Sequence, residues 1–247
     1  MYQGFANVYD YLMTDTPYDQ WYDLLLQTIK KYDVKGKQVL DLACGTGEMT
    51  HRLSKDGYVV LGVDLSTKML EEAQHKSHEQ ALKCKFINQD IRALDLFQKY
   101  DLVVSFCDAV NYMIEDDDLL KMLQSIYKYL NEDGLFVLEL SSYYKLSQVL
   151  NQNTFTEVDD DVVYIWDNYF DEATDVLEFD LTLFVEKNGL YERFDEYHKQ
   201  RAYSLKTIKD LLEVSHLQCL EVLDSNTGKA VTHESERWLL IGRRKHE

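Results

Sequence analysis

The chain has 247 residues, 44 acidic against 26 basic side chains for a formal net charge of −18, and one proline. With 45% hydrophobic and 13% aromatic residues it can bury a sizeable core in one globular unit, which excludes a disordered acidic chain. The acidity disfavours nonspecific binding to phosphate backbones, no apolar run approaches the roughly 20 residues of a membrane helix, and MYQGFANVYDYLM lacks the features of a signal peptide, so the expected location is cytoplasmic.

Residues 18–34 place Trp21, Leu24, Leu25 and Ile29 at helical spacing. Short apolar strands follow at 37–42, 59–63, 84–87, 102–106 and 134–140, separated by helical stretches at 48–55, 67–76 and 117–130. Continuous apolar strands alternating with helices predict an α/β fold, a doubly wound and mostly parallel sheet of seven strands. After about residue 150 the period changes to two: Leu177, Phe179, Leu181, Leu183 and Val185 alternate, and Asn188-Gly189 is a strong hairpin signal. This predicts an antiparallel β insert of two or three strands at 151–203. A core of 1–150 and 204–247 is completed by a helix at 205–214 and two last strands at 218–225 and 236–243. Cys44, Cys84, Cys107 and Cys219 form no CxxC pair and read as reduced thiols. His75 and His78 stand on a polar stretch, so no metal site is expected.

The segment carrying chemistry is VLDLACGTGEMT, Val39 to Thr50, which ends a strand, turns on Gly45 and Gly47, and opens a helix. Missing Cβ atoms there let backbone approach a ligand, and the helix start supplies N–H groups. The second strand closes on Asp64, 17 positions after Gly47, where a carboxylate can accept both hydroxyls of a ribose. Ala43 and Thr50 interrupt a dinucleotide GxGxxG fingerprint, and a GKS or GKT loop is absent.

Asp41-Leu42-Ala43-Cys44-Gly45-Thr46-Gly47 resembles the first motif of the class I S-adenosylmethionine-dependent methyltransferases, acid-x-Gly-x-Gly-x-Gly, with Ala43 in place of the first glycine. The resemblance continues through GVDLSTKML, NQDIRAL and DLVVSFCDAVNYM. It is closest to bacterial small-molecule enzymes that open with F-A-x-x-Y-D, here Phe5 to Asp10, and insert β structure after the fifth core strand. It implies that Gly45 and Gly47 pass beneath the methionine part of S-adenosylmethionine and that Asp41 orients its amino group. Asp64 would hold the ribose, Leu65 pack on the adenine, and Asp90 with the Ile91 backbone read the ring. Phe106 and Cys107 would line the methionine part, and Tyr9 and Tyr18 would belong to a lid. Tyr2, Phe5, Tyr11 and Trp21 read as aromatics packed outside the sheet.

Asp108, Asn111 and Tyr112 follow the fourth strand, where a carboxylate at Asp108 can hold an acceptor amine or take its proton. His198 and Arg201 lie in EYHKQRAY, with Glu196, His198 and Gln200 on one face of a strand. These five are the candidates for catalysis (Asp108, His198) and acceptor binding (Asn111, Tyr112, Arg201). The expected reaction is methyl transfer to an N, O or C nucleophile of a small molecule. An RNA methyltransferase would instead need a basic face near the pocket, for instance from Arg237, Arg243, Arg244 and Lys245, and a non-catalytic cofactor-binding protein would need a sealed one. Residues 151–203 carry 14 of the acids and 4 of the bases, which favours a neutral or cationic acceptor if those acids face it.

Overall fold

A computed structural model of the chain describes residues 6–159 and 161–245. Its first helix, α1 (Ala6–Leu12), precedes α2 (Tyr18–Lys31), which begins directly after Pro17. A proline there removes no helical hydrogen bond. The core then alternates: β1 (Gln38–Leu42), α3 (Glu48–Lys55), β2 (Val59–Asp64), α4 (Thr67–Glu79), β3 (Lys85–Asn88), β4 (Tyr100–Ser105), a 3-10 turn (Ala109–Tyr112), α5 (Asp116–Tyr129) and β5 (Leu130–Ser141). Ser66 starts α4 by accepting the Met69 N–H at 3.3 Å, a side-chain cap that satisfies one free donor.

After a turn of π-helix at Lys145–Leu150 come β6 (Thr154–Val158), β7 (Val162–Asp171), β8 (Val176–Lys187) and β9 (Leu190–Arg201), then α6 (Leu205–Val214), β10 (Leu217–Asp224) and β11 (Arg237–Arg244). The seven-stranded sheet has the order β10-β11-β5-β4-β1-β2-β3, with β11 antiparallel to both neighbours. Its two faces follow the alternation of side chains. Val39, Leu102, Val104, Leu135, Val137, Leu239 and Ile241 pack under Trp21, Leu25 and Leu53 of α2 and α3. Leu40, Val103, Phe136, Leu138 and Leu240 pack under Leu119, Leu123 and Ile126 of α5 and Ile208 and Leu212 of α6. A strand buried on both sides has no polar face, which is why these strands read as continuous apolar runs.

β6 to β9 form a separate antiparallel sheet in sequential order. The hairpin at Asn188-Gly189 has φ of 57° and 79° at the two residues, as its sequence requires. The sheet has four strands where two or three were expected. The additional one, β6, is exposed along its whole length, so TFTEV carries no core-facing alternation to reveal it. Phe170, Leu177 and Phe179 bury against Leu146 and Leu150 of the π-turn, and Val162 and Leu183 against Val8 of α1 and Met69 of α4. Among the described residues no helix is long and apolar enough to cross a membrane.

Candidate active site

Strand order reverses between β1 and β4, where an open α/β sheet leaves a crevice at its carboxyl edge. After β1 the chain turns through Ala43, Gly45 and Gly47, with φ of 53°, 54° and 87°. The two glycines serve different ends. A Cβ on Gly45 would meet nothing within 4 Å, so this backbone borders open space. One on Gly47 would lie 2.8 Å from His51 Cε1 and 3.2 Å from Ala73 Cβ. Gly47 thus makes room for α3 against α4, while Gly45 is the glycine that lines the cavity and its niche.

Asp64, at the end of β2, ties the turn to the start of α4. Its Oδ2 accepts the Gly45 N–H at 2.9 Å and its Oδ1 the Ser66 N–H at 2.8 Å. A carboxylate offers about four acceptor positions, so capacity remains for a ligand. Burial raises its pKa, while these backbone donors pull it down.

Asp64 faces a cavity of about 500 Å³, within the roughly 300–1,000 Å³ of small-molecule sites. Gly45, Leu65, Asp90 and Ile91 form one part of its lining; Ala109, Tyr112, Met113 and Ile114, which follow β4, form another, with Tyr197 and Lys199 from β9. Tyr9, Ala43, Gly45 and Cys107 also border a niche of about 30 Å³, completed by residues including Tyr18, Asp41 and Phe106. Asp41 is buried there and accepts the Thr50 hydroxyl at 2.5 Å; burial pushes its pKa up to about 7. The Cys107 thiol donates to the Tyr18 hydroxyl at 3.2 Å and is pushed up to about 12 by burial, so it is no nucleophile at neutral pH.

Helix α1 is fastened over this region by Asp10, the last residue of the F-A-x-x-Y-D string, for which the sequence suggested no role. Asp10 accepts from Thr46 Oγ1 at 2.5 Å and from Lys76 Nζ at 2.7 Å, and Tyr11 donates to Asp159 at 2.5 Å. These contacts join α1 to the glycine turn, to α4 and to the antiparallel sheet. Tyr2 and Phe5 lie outside the described residues.

Asp90 stands in the wall as half of an ion pair. The Arg92 guanidinium contacts it at 2.6–3.1 Å, holding its carboxyl below the usual range, and reaches on to Asp118 at 2.9 Å.

Three of the acceptor-side expectations change. Asp108 does not line the cavity; it is clamped by both terminal nitrogens of Arg237 at 2.8–3.0 Å and accepts the Ser141 hydroxyl at 2.7 Å. Burial would raise its pKa, but Arg237 and Lys145 outweigh it and hold the carboxyl below its ordinary range. A locked, weakly basic carboxylate is a poor proton acceptor. Asn111 is completely buried, donates to the Ser141 and Arg201 carbonyls at 3.0 Å each and accepts the Ser141 N–H at 2.9 Å. It staples β5 and β9 to the turn after β4. Arg201 donates to the Ile114 carbonyl at 2.9 Å and borders a neighbouring surface cleft.

Tyr112 does line the cavity, and its hydroxyl meets His198 Nδ1 at 3.2 Å. His198 is buried, stacks on Phe179 with ring centroids 4.7 Å apart, and is pushed down to about 4 by burial. Its imidazole is therefore neutral at pH 7 and stands behind Tyr112 in the second layer of the wall. The residues of β9 that reach the cavity, Tyr197 and Lys199, belong to the opposite parity from His198 and Gln200.

Charge at the cavity also departs from expectation. Among the described residues, no acid of 151–203 lines it; the one charged group the antiparallel sheet contributes is Lys199, paired with Glu178 at 2.5 Å. The charge argument for a neutral or cationic acceptor therefore falls. Nor do Arg237, Arg243, Arg244 and Lys245 build a basic face there. Arg237 is buried between carboxylates, Arg243 and Arg244 lie over the Tyr32 and Tyr127 rings, and Lys245 pairs with Glu213.

A doubly wound sheet with a ribose-competent acid beside a glycine turn defines the class: an α/β protein built to hold a nucleoside-bearing ligand at its switch point. The model of the methyltransferase domain family matches residues 39–134. A protein named as a methyltransferase in Geobacillus sp. (strain WCH70) is 37% identical over 245 residues, 98% of this chain and 99% of its own. The crystal structure of an S-adenosylmethionine-dependent methyltransferase from Clostridium acetobutylicum ATCC 824 has a TM-score of 0.91 at 36% identity, over 99% of each chain. CalS10, an amino pentose methyltransferase from Micromonospora echinaspora, shares the fold at a TM-score of 0.77 and 17% identity, over 96% of this chain and 97% of its own. The chain belongs to the methyltransferase family.

Proposed function

We propose that the chain transfers a methyl group from S-adenosylmethionine to a nitrogen, oxygen or carbon nucleophile of a small molecule. The observation that carries this is the continuity of one cavity from Gly45 and Asp64, which suit an adenosine ribose, to Tyr112 and Tyr197, which leave room for a second molecule. The residues fit that cofactor: Gly45 presents bare backbone, Asp64 keeps acceptor capacity, and Asp41 stands in the niche where an amino group would be held. The sulfonium supplies an already activated methyl. The chain's own work is alignment and exclusion of water.

In this reading Asp64 binds the ribose hydroxyls, Leu65 and Ile91 pack the base, and Asp90 with Arg92 borders it. Ala43, Phe106, Cys107, Tyr9 and Tyr18 enclose the methionine part. Tyr112, with neutral His198 behind its hydroxyl, orients the acceptor, and the antiparallel sheet covers that end through Tyr197 and Lys199. The small-molecule preference rests on the size of the cavity and on the pairing or burial of the basic side chains that a polyanion would need.

Incubation with methyl-labelled cofactor and fractionated bacterial extract tests the reading. Label is expected in a low-molecular-mass fraction that survives nuclease; label released by ribonuclease would overturn the small-molecule assignment.

A further inference from the structure

Behind Cys107 lies a buried charge cluster that the reaction as read above does not use. Glu139 is completely buried in β5, inside the apolar run LFVLEL. Its Oε1 accepts from Arg237 Nη1 at 2.9 Å, and its Oε2 accepts the backbone N–H of Cys107 at 3.0 Å and of Asp108 at 3.4 Å. Those two residues have φ of 58° and 64°, consecutive side-chain-bearing positions in the left-handed region. Such backbone persists only where its surroundings over-determine it. Arg237, the first residue of β11, also clamps Asp108, and its guanidinium sits 4.9 Å from the Trp21 ring centroid. One guanidinium thus fixes both the carboxylate that holds the turn and the side chain of the turn itself.

We propose that Glu139 and Arg237 are positioning residues for cofactor binding, holding the Cys107–Asp108 turn in the conformation that presents Cys107 to the cavity and its niche. The inference rests on the cofactor reading given above. Neither residue touches the cavity; both act through the turn. The groups facing Glu139 are Arg237 from β11, Asp108 and Cys107 from the turn, and Lys145 from the π-turn, with Glu236 beyond Lys145. Burial pushes Glu139 up to about 7, against the pull of Arg237. Its three hydrogen-bonding neighbours are all donors, so a protonated or amide side chain leaves at least one without an acceptor.

The test is calorimetry with S-adenosylhomocysteine on the wild type, Glu139→Gln and Arg237→Lys, with melting temperatures recorded beside the affinities. Near pH 8.5, Glu139→Gln is expected to bind roughly 10-fold more weakly, the loss of one charge-assisted hydrogen bond. Near pH 5.5 the ratio of the two dissociation constants should approach one, because the wild type then carries a neutral Glu139 as well. Asp41, which burial also pushes up to about 7, titrates in both proteins and cancels in the ratio. Arg237→Lys keeps the charge and loses the fork, so a roughly similar weakening is expected with the fold retained. Equal affinities at the higher pH, or the same penalty at both pH values, overturn the proposal: the first removes the coupling and the second makes it merely structural. If Glu139→Gln does not fold, the Arg237→Lys affinity decides. A wild type that does not bind S-adenosylhomocysteine would instead refute the cofactor reading beneath it.

Discussion

Replacing Asp64 by alanine isolates the interaction on which the site depends. The side chain accepts two backbone N–H groups, from Gly45 at 2.9 Å and Ser66 at 2.8 Å, and it is only partly buried. Water can replace part of what is lost, so the folding penalty should be about 1–2 kcal/mol. The binding penalty is larger. If the carboxylate also accepts two ribose hydroxyls, each charge-assisted hydrogen bond contributes about 1.5–3 kcal/mol, so the pair amounts to about 3–6 kcal/mol, or roughly 10²- to 10⁴-fold in affinity. Calorimetry with S-adenosylhomocysteine measures this directly, and a 2′-deoxy analogue separates the two hydroxyls. The variant's penalty should shrink toward the analogue, because one of its partners is already gone. A folded Asp64→Ala protein that binds within about threefold of the wild type would refute the assignment of this carboxylate, whatever its effect on melting.

Two further substitutions test residues whose roles the structure sharpened. Asp41→Asn should raise stability and lower affinity for S-adenosylhomocysteine. The folded pKa of about 7 exceeds the ordinary value of 3.8, so the stability present below pH 3.8 is lost as pH rises toward 7. The variant's advantage should therefore grow over that window to on the order of 4 kcal/mol by linkage, and an advantage that does not change with pH in thermal melts would contradict it. Asn111→Ala removes three buried hydrogen bonds, for roughly 3 kcal/mol and a fall in Tm of about 6–12 °C. Its cofactor affinity should stay within about twofold of the wild type; an unchanged Tm with lost turnover would restore Asn111 to the acceptor site.

The central sheet was legible because its signals are local. Apolar runs such as VLDL and VVLGV, a glycine turn after the first and Asp64 closing the second place the switch point without any long-range information. Asn188-Gly189 needed only its own backbone preference. What could not be read locally was which parity of β9 reaches the cavity. EYHKQR has polar groups on both faces, and only the packing of His198 on Phe179 decides that Tyr197 and Lys199 reach the cavity instead. The acids of residues 151–203 misled for a related reason. Among the described residues most of them are exposed and none lines the cavity, so composition counts them but geometry removes them from the site. Glu139 and Arg237 did leave a trace: a lone acid inside LFVLEL and an arginine opening WLLI must find partners if buried. Nothing in the sequence says that each is the other's partner, 98 positions away.

Several groups held against their own preference stand together at one edge of the sheet. Ala43, Cys107 and Asp108 adopt left-handed backbone, and burial raises Asp41 and Glu139. All lie at the carboxyl edge of β1, β4 and β5. The apolar layer under α2 and α3, with Trp21 and Leu25 fully buried beside Val39, Val104 and Val137, can carry that cost because little in it can move. For methyl transfer the consequence is specific. An activated methyl needs no strong acid or base from the protein, so the rate depends on how closely donor and acceptor are held in line. Charges and strained turns fixed before binding provide that alignment without reorganising during the reaction. On the proposed reading Tyr112, Met113, Ile114 and Tyr197 line the acceptor end, so substitutions there are expected to change the acceptor more than the affinity for the cofactor.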